Sequence, residues 1–181
     1  MPLTIPAICQ LFEHAGAHLY GGEAITQSEH ALQSAFLAEQ AGHDDALVIA
    51  CLLHDLGHML FEQQDDDLAA GQDDLHQFKI VPFLRGLMPA AVIEPIRLHV
   101  DAKRYLCQRE PGYRLALSEA SQLSLALQGG VMDDAAAEQF MRAPHAAAAI
   151  ALRRCDDAAK VVGLRVPSLD HYLARLQALA T

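Results

Sequence analysis

Histidine and aspartate side chains are the residues of this sequence best suited to chemistry. The chain contains ten histidines, and four of them fall in separate predicted helices behind apolar faces: His30, His54, His76 and His99. Asp55 follows His54 directly, so an imidazole and a carboxylate stand side by side at the end of an apolar helix. One carboxylate oxygen can share a metal with the imidazole while the other oxygen reaches a second metal. This pattern indicates a metal site with nitrogen and oxygen ligands.

Cationic residues recur at helical spacing beside these candidate ligands. Lys103 follows His99 by four positions, which places an ammonium group one helical turn from the imidazole. Arg153 precedes Asp156 by three positions. Its guanidinium could offer a second cation to an anionic ligand that Lys103 binds. The alternative interpretation is that Lys103 and Arg153 are ordinary solvated residues on the protein surface. Together, the two cations would suit an anionic ligand.

Further polar residues lie at spacings that could serve a bound anion. Ser121, Ser124 and Gln128 share one face of a Leu- and Ala-rich helix and could hydrogen-bond anion oxygens, the alternative being ordinary polar surface. His58 follows His54 by four positions, so the spacing predicts that both lie on one face. His58 could then donate to a substrate oxygen.

The elements that position these residues are predicted to be helices. Leu and Ala recur at helical spacing and strand-like alternation is almost absent, so we expect an all-α fold of about seven or eight helices. A capping box at Thr26 and Glu29 begins one helix, which runs to Ala41. Asp44 or Asp45 begins the next, an apolar central helix. Others are expected around His76, from Pro95 onward, and over residues 115–128, 143–159 and 169–178.

Composition narrows the class of protein. The 181 residues include 23 acidic and 13 basic side chains, a net charge of −10, and 52% apolar residues. These values suit one domain with a packed core and exclude a disordered chain. The acidic balance argues against nucleic-acid binding. No apolar run approaches the roughly 20 residues of a membrane helix, no secretory signal is visible, and four scattered cysteines do not suggest a disulfide framework. We therefore expect a cytoplasmic protein.

An acidic, glycine-containing segment covers residues 62–74. Such a composition predicts a solvated loop. The alternative is a lid beside a functional site.

The order His30, His54-Asp55, His76, His99 and Asp156 resembles the HD-domain superfamily, whose all-helical core binds one or two metals. The two histidines between the doublet and the last aspartate point to its dinuclear subgroup. Longer stretches resemble one branch, the mixed-valence diiron oxygenases of the PhnZ and TmpB type, which cleave carbon–phosphorus bonds. They are YGGEAITQSEH (20–30), LHDLGH (53–58), HVDAKRYL (99–106), LQGG (127–130) with Met132, and RRCDD (153–157). The likeness implies one HD domain over residues 1–181, with its core over 20–165 and a terminal helix over 169–179.

The resemblance implies a ligand set for two iron ions in an Fe(II)/Fe(III) pair, with O2 as co-substrate. One iron would be bound by His30, His54 and Asp156, the other by His76 and His99, and Asp55 would bridge them. The choice of Asp156 over Asp157 rests on the alignment alone, since helical periodicity does not separate adjacent positions. This donor set is too rich in nitrogen for a magnesium site.

The resemblance also implies a reaction. Tyr20 and Glu23 would gate the site, with the tyrosine occupying an iron position until substrate displaces it, and Glu23 would suit a cationic amino group. The phosphonate would be held by residues named above: His58, Lys103, Ser121, Ser124, Gln128 and Arg153. The expected substrate is a small zwitterionic 1-hydroxyphosphonate with an amino or trimethylammonium group at carbon 2. Its oxidation would release phosphate and glycine or its betaine.

Other functions compete with this interpretation, and the chain departs from the family in places. The main alternative is metal-dependent hydrolysis of a phosphate ester, followed by inositol-type oxygenation and a non-catalytic binding module. Cys155 stands where the family usually carries Trp, and Pro82 and Pro95 fall where relatives run uninterrupted helix. Because none of these departures removes a ligand, they bear on local packing rather than on the metal site.

Overall fold

A computed structural model describes residues 2–61, 73 and 75–181 of the chain. Within these ranges the backbone forms helices, and the only extended pairing is two isolated bridges, Leu19 with Thr26 and Arg85 with Met88. The all-α prediction is confirmed. Apart from Asp73, the segment predicted as a solvated loop or lid lies outside the described residues.

The helices of the described ranges are α1 (Ile5–His14), α2 (Gln27–Gln40), α3 (Asp45–Leu53), α4 (Leu56–Leu60), α5 (His76–Lys79), α6 (Val81–Leu84), α7 (Ala90–Arg109), α8 (Tyr113–Ala116), α9 (Glu119–Leu127), α10 (Asp134–Met141), α11 (Ala146–Ala158) and α12 (Leu169–Leu179). Helices α1, α4 and α10 were not identified from the sequence. In this part of the chain, no helix combines the length and the apolar character needed to cross a membrane.

Local sequence explains where the two central helices begin. The Thr26 hydroxyl accepts from the Glu29 amide at 3.2 Å while the Glu29 carboxylate accepts from the Thr26 amide at 2.7 Å, so the predicted capping box is confirmed. Gly42 follows the end of α2 with a φ of +75°, a conformation that favours glycine. Asp44 begins α3, its side chain accepting from the Leu47 amide at 2.9 Å.

Three helix boundaries differ from the sequence prediction. Helix α7 begins after Pro89, so Pro95 lies inside it rather than at its start, and the helix lacks the hydrogen bond that an N–H at residue 95 would donate. The segment predicted as one helix over 115–128 is divided into α8 and α9, because Leu117 is extended and the Ser118 hydroxyl accepts from the Ser121 amide at 3.3 Å. Helix α5 ends at Lys79, and α6 carries Pro82 in its first turn.

Four helices meet in the centre of the molecule and position the candidate ligands. Helix α3 is buried from Leu47 to Leu53 and packs against α2, α7 and α11, and α11 also packs against α2 and α7. Each of the four helices carries or directly precedes a candidate ligand: His30 on α2, His54 and Asp55 after α3, His99 on α7 and Asp156 on α11. The short helix α5 packs against α7 and brings His76 to the same point.

Candidate functional site

Asp55 lies between two pairs of histidines. Its Oδ2 atom is 3.3 Å from Nε2 of His54 and 3.6 Å from Nε2 of His30. Its Oδ1 atom is 3.3 Å from Nε2 of His76 and 3.8 Å from Nε2 of His99. The two oxygens of one buried carboxylate therefore face two different pairs of imidazole nitrogens, which is what a bridge between two metal ions requires.

Asp156 completes one side of this arrangement. Its Oδ1 is 3.4 Å from Nε2 of His30, and its Oδ2 is 3.8 Å from Nε2 of His54. The neighbouring carboxylate, Asp157, instead accepts a hydrogen bond from Arg153. The structure thus separates two adjacent aspartates that helical periodicity leaves equivalent, and Asp156 is the one facing the histidines.

Main-chain carbonyl groups orient three of the four imidazole rings. Through Nδ1, His30 is bonded to Ala159 at 2.8 Å, His54 to Cys51 at 2.8 Å and His99 to Ile96 at 2.7 Å. A carbonyl oxygen only accepts, so Nδ1 carries a proton, and in the neutral ring Nε2 is the nitrogen left to bind a metal on the Asp55 side. This is the tautomer that a metal ligand needs.

The residues fit a pair of metal ions. Oδ1 of Asp55 and Oδ1 of Asp156 are buried and have no hydrogen-bond donor among the described residues. Burial of such an atom costs free energy that a bound cation offsets. One ligand atom from each of His30, His54 and Asp55, and likewise from each of Asp55, His76 and His99, lies within 4.8 Å of the others in its group. Four imidazoles and two carboxylates suit borderline metals such as iron or zinc.

The electrostatics of the cluster favour the ligand forms of Asp55 and His99. Burial would raise the pKa of the Asp55 carboxyl, but the imidazoles of His54, His58 and His76 hold that pKa well below its usual range. Burial and the neighbouring His76 lower the pKa of His99 well below the usual value. Burial opposes protonation of His54, yet Asp55 and Asp156 raise its pKa to about 9. Metal binding must therefore displace a proton from His54.

Tyr20 covers the His30 side of the site. Its ring stacks on that of His30, with ring centroids 3.8 Å apart and 13° between the planes. Burial raises the pKa of Tyr20 well above its usual value, and the charges of Asp55 and Asp156 raise it further. A protonated phenol therefore stands near the Asp55 carboxylate, and the gating role that the resemblance implies for Tyr20 stays a prediction.

A buried cationic pocket adjoins the Asp156 side. Lys103 is 2% exposed and donates to the Ser124 hydroxyl at 2.9 Å. Burial, together with the charge of Arg153, lowers the pKa of Lys103 to about 7. Arg153 is paired with Asp156 at 2.8 Å. Gln128 offers a buried Oε1 that has no donor among the described residues. Lys103, Ser124 and Arg153 thus lie near one another, and the anion-binding roles of these residues and of Gln128 stay predictions.

The spacing of His58 from His54 predicts that the two rings lie on the same side of Asp55. In the structure, His58 lies on the opposite side, next to His76. The helix is interrupted at His54 and Asp55, so residues 54 and 58 do not share one helical face. The His58 ring stacks on that of His76, with centroids 4.3 Å apart, and its Nε2 lies 3.9 Å from Oδ1 of Asp55. The predicted common face is wrong, and His58 adjoins the His76–His99 pair.

Two side chains of the site were not singled out from the sequence. Lys160 lies 3.3 Å from Glu23 and 2.9 Å from the Ser121 hydroxyl. It follows Asp156 by four positions, the separation of His99 and Lys103, and this repeat was a usable signal. Tyr113, at the start of the short helix α8, donates a hydrogen bond to the Asp157 carboxylate. No local sequence pattern predicts that contact.

Comparisons with known proteins agree with this geometry. The HD domain family matches residues 28–133. A hydroxymethylphosphonate dioxygenase of Gimesia maris is 42% identical over 169 residues, covering 93% of this chain and 84% of that protein. A [1-hydroxy-2-(trimethylamino)ethyl]phosphonate dioxygenase (glycine-betaine-forming) of Leisingera caerulea is 36% identical over 167 residues, covering 92% of this chain and 85% of that protein. The chain therefore belongs to the HD-domain family and, within it, to the oxygenases of the PhnZ and TmpB type.

Proposed function

We propose that this protein uses a pair of iron ions and O2 to cleave the carbon–phosphorus bond of a small 1-hydroxyphosphonate. The observation that supports this most directly is the division of the Asp55 carboxylate between two histidine pairs, beside the buried ammonium group of Lys103. The similarity to two phosphonate dioxygenases over most of the chain favours this reaction over hydrolysis of a phosphate ester.

The metal ligands have separate roles in this proposal. One ion would be held by His30, His54 and Asp156, the other by His76 and His99, with Asp55 between them. When bound, the Fe(II)/Fe(III) pair would supply Lewis acidity and a redox site at which O2 and the substrate react. The imidazole rings need little reorientation, since main-chain carbonyl groups already hold three of them.

The pocket residues bind and orient the substrate. Lys103 and Ser124 present an ammonium group and a hydroxyl group to two phosphonate oxygens, while Gln128 and Ser121 lie on the same helix face. Tyr20 lies beside Asp55, with its ring stacked on His30. In this proposal the tyrosine occupies the substrate position next to the metal site until substrate enters. Burial of Lys103 excludes water, which strengthens its attraction for the anion.

The overall reaction balances with one O2 for each bond cleaved. The C–P bond breaks, the hydroxyl-bearing carbon becomes a carboxylate, and phosphorus leaves as phosphate: R–CH(OH)–PO3²⁻ + O2 gives R–COO⁻ + HPO4²⁻ + H⁺. All four electrons taken up by O2 come from the substrate. No external reductant is consumed in each turnover.

The finer substrate assignment is a zwitterion, with Glu23 binding an ammonium group at carbon 2. Oε1 of Glu23 is buried and makes no hydrogen bond within the described part of the chain, although Nζ of Lys160 lies 3.3 Å away as an ion pair. A buried carboxylate that already faces one cation suits a cationic group of the substrate. The two relatives differ on this point, because only the name of the Leisingera protein includes an amine. A cytoplasmic location remains part of the proposal.

The experiment compares phosphate release from three compounds by iron-loaded protein, in air and under strict anaerobiosis. They are hydroxymethylphosphonate, 2-amino-1-hydroxyethylphosphonate and its trimethylammonium analogue. We expect phosphate only when O2 is present, together with formate, glycine or glycine betaine, respectively, from each compound that is turned over. Oxygen-independent hydrolysis of a phosphate monoester, without turnover of any phosphonate, would establish the phosphohydrolase instead.

A further inference from the structure

Lys160 joins three segments of the chain at the edge of the site. Its Nζ atom is 2.9 Å from the hydroxyl of Ser121 and 3.1 Å from that of Ser118, both at the start of α9. The same atom is 3.3 Å from Oε1 of Glu23, which lies in the segment before α2. Lys160 itself comes two residues after the end of α11, the helix of Asp156. One ammonium group thus connects the candidate anion pocket to the gate segment, residues 20–25.

The gate segment is short and folded back on itself. The Tyr20 amide donates to the Ile25 carbonyl at 2.9 Å, and the Glu23 amide donates to the Tyr20 carbonyl at 2.7 Å. Movement of Glu23 is therefore transmitted to Tyr20. The Lys160 ammonium also lies 5.9 Å from the centroid of the Tyr20 ring. Its contact with Glu23 ties this compact turn to α9.

We infer that Lys160 is a positioning residue that couples anion binding at α9 to release of the gate segment. A phosphonate that reaches Ser121 arrives beside the Lys160 ammonium, because that hydroxyl is already its partner. The phosphonate dianion carries twice the charge of the Glu23 carboxylate and competes for Lys160. Transfer of Lys160 to the anion frees Glu23, loosens residues 20–25 and lets Tyr20 leave its place beside Asp55.

Two opposite shifts in affinity follow from this coupling. Lys160→Met removes the cation while keeping most of the side-chain volume, so binding of hydroxymethylphosphonate and of inorganic phosphate should weaken by roughly ten- to a hundredfold. Lys160→Arg keeps the charge and should recover most of that affinity. Glu23→Gln removes the competitor for Lys160, so phosphate affinity should rise rather than fall.

The test uses full-length, iron-loaded protein without O2. Titration calorimetry measures both ligands, and amide hydrogen exchange reports on residues 18–26 with and without them. Exchange there should accelerate when phosphate binds to the wild type. In Lys160→Met and in Glu23→Gln it should already be fast without ligand. Arg142→Met, which removes an exposed cation on the far end of α10, serves as the matched control and should change neither measurement.

Defined results overturn the inference. Unchanged phosphate affinity in Lys160→Met, equal losses in the Met and Arg variants, or weaker binding in Glu23→Gln would each contradict the coupling. Iron content and melting temperature identify a variant that has merely failed to fold, in which case Glu23→Gln and Lys160→Arg still decide the question. The coupling rests on the proposed function only for the identity of the anion. If phosphonates are not oxidised, the phosphate titrations still test Lys160.

Discussion

The guanidinium group of Arg153 lies 2.8 Å from Oδ2 of Asp156, a carboxylate whose Oδ1 is 3.4 Å from Nε2 of His30. Burial would lower the pKa of Arg153, but Asp156 and its neighbour Asp157 raise it well above the usual value. Arg153 therefore stays cationic and fixes the orientation of a candidate metal ligand. Asp157 accepts from Nη2 of the guanidinium, whereas Asp156 pairs with Nη1.

The two adjacent aspartates should respond differently to substitution. Asp156→Ala removes a carboxylate that faces His30 and His54, so we expect bound iron to fall from two ions per chain to one or fewer. Asp157→Ala removes a partner of Arg153 and of Tyr113 and should retain both ions. Plasma mass spectrometry of the iron-reconstituted variants gives the count. Loss of iron from Asp157→Ala alone would reverse the ligand assignment.

Lys103 should take up a proton when an anion binds. Its pKa of about 7 leaves the free side chain mostly neutral at pH 8, and a bound phosphonate dianion favours the charged form. Affinity should therefore fall as pH rises above 7, by up to about tenfold per pH unit. Calorimetry in buffers of different ionisation enthalpy measures the uptake, which we expect to approach one proton at pH 8.

The Lys103→Met variant separates this effect from ionisation of the ligand itself. It should lose the additional proton uptake and bind hydroxymethylphosphonate more weakly at pH 6, while both iron ions remain bound. A variant that loses iron as well would place Lys103 among the metal ligands. Identical proton uptake in the variant and the wild type would show that Lys103 does not titrate on binding.

Gly57 should control the position of His76. A Cβ atom at residue 57 would lie 2.9 Å from the His76 carbonyl oxygen and 3.3 Å from its Cβ, so Gly57→Ala must push α5 away. We expect weaker binding of the iron held by His76 and His99, and a loss of about 1–3 kcal/mol in the free energy of unfolding. Gly21→Ala is the matched control, because a Cβ there meets nothing within 4 Å. Metal titration and thermal unfolding compare the two variants.

Tyr113 should act on substrate affinity through Asp157 and Arg153. The Tyr113 hydroxyl donates to Asp157, which in turn accepts from Arg153. Tyr113→Phe leaves that carboxylate with a stronger hold on Arg153, so we expect KM for the phosphonate to rise severalfold with iron content and kcat nearly unchanged. Tyr105→Phe, whose ring packs on Phe140, provides the control. An equal change in both variants would indicate a general packing effect.

The helices and the candidate ligands were predictable because their signals are local. The Thr26–Glu29 capping box and Asp44 mark the starts of α2 and α3 through contacts only three residues apart. The order and spacing of the His and Asp residues carry the family likeness. By contrast, the split between α8 and α9 depends on an extended residue at Leu117, within a stretch whose apolar periodicity continues across it.

The parts of the site that the sequence did not predict depend on contacts between distant segments or on an interrupted helix. Lys160 and Glu23 are brought together by the packing of α11 against α2. They are 137 positions apart in the sequence, and no local pattern indicates that they are in contact. His58 follows a helix interruption at Asp55, which moves it to the His76 side although its spacing from His54 is that of one helical turn. Helical periodicity fails wherever the helix itself is broken.

The carbonyl groups that hold His30, His54 and His99 belong to the main chain of Ala159, Cys51 and Ile96. Every amino acid supplies the same carbonyl oxygen, so substitutions at these three supporting positions leave the acceptors in place as long as the backbone holds its course. Amino-acid substitutions at these positions therefore do not change which ring nitrogen of each histidine carries the proton. The side chains at residues 51, 96 and 159 can change to suit the packing of the core, while the three imidazole rings keep their orientation.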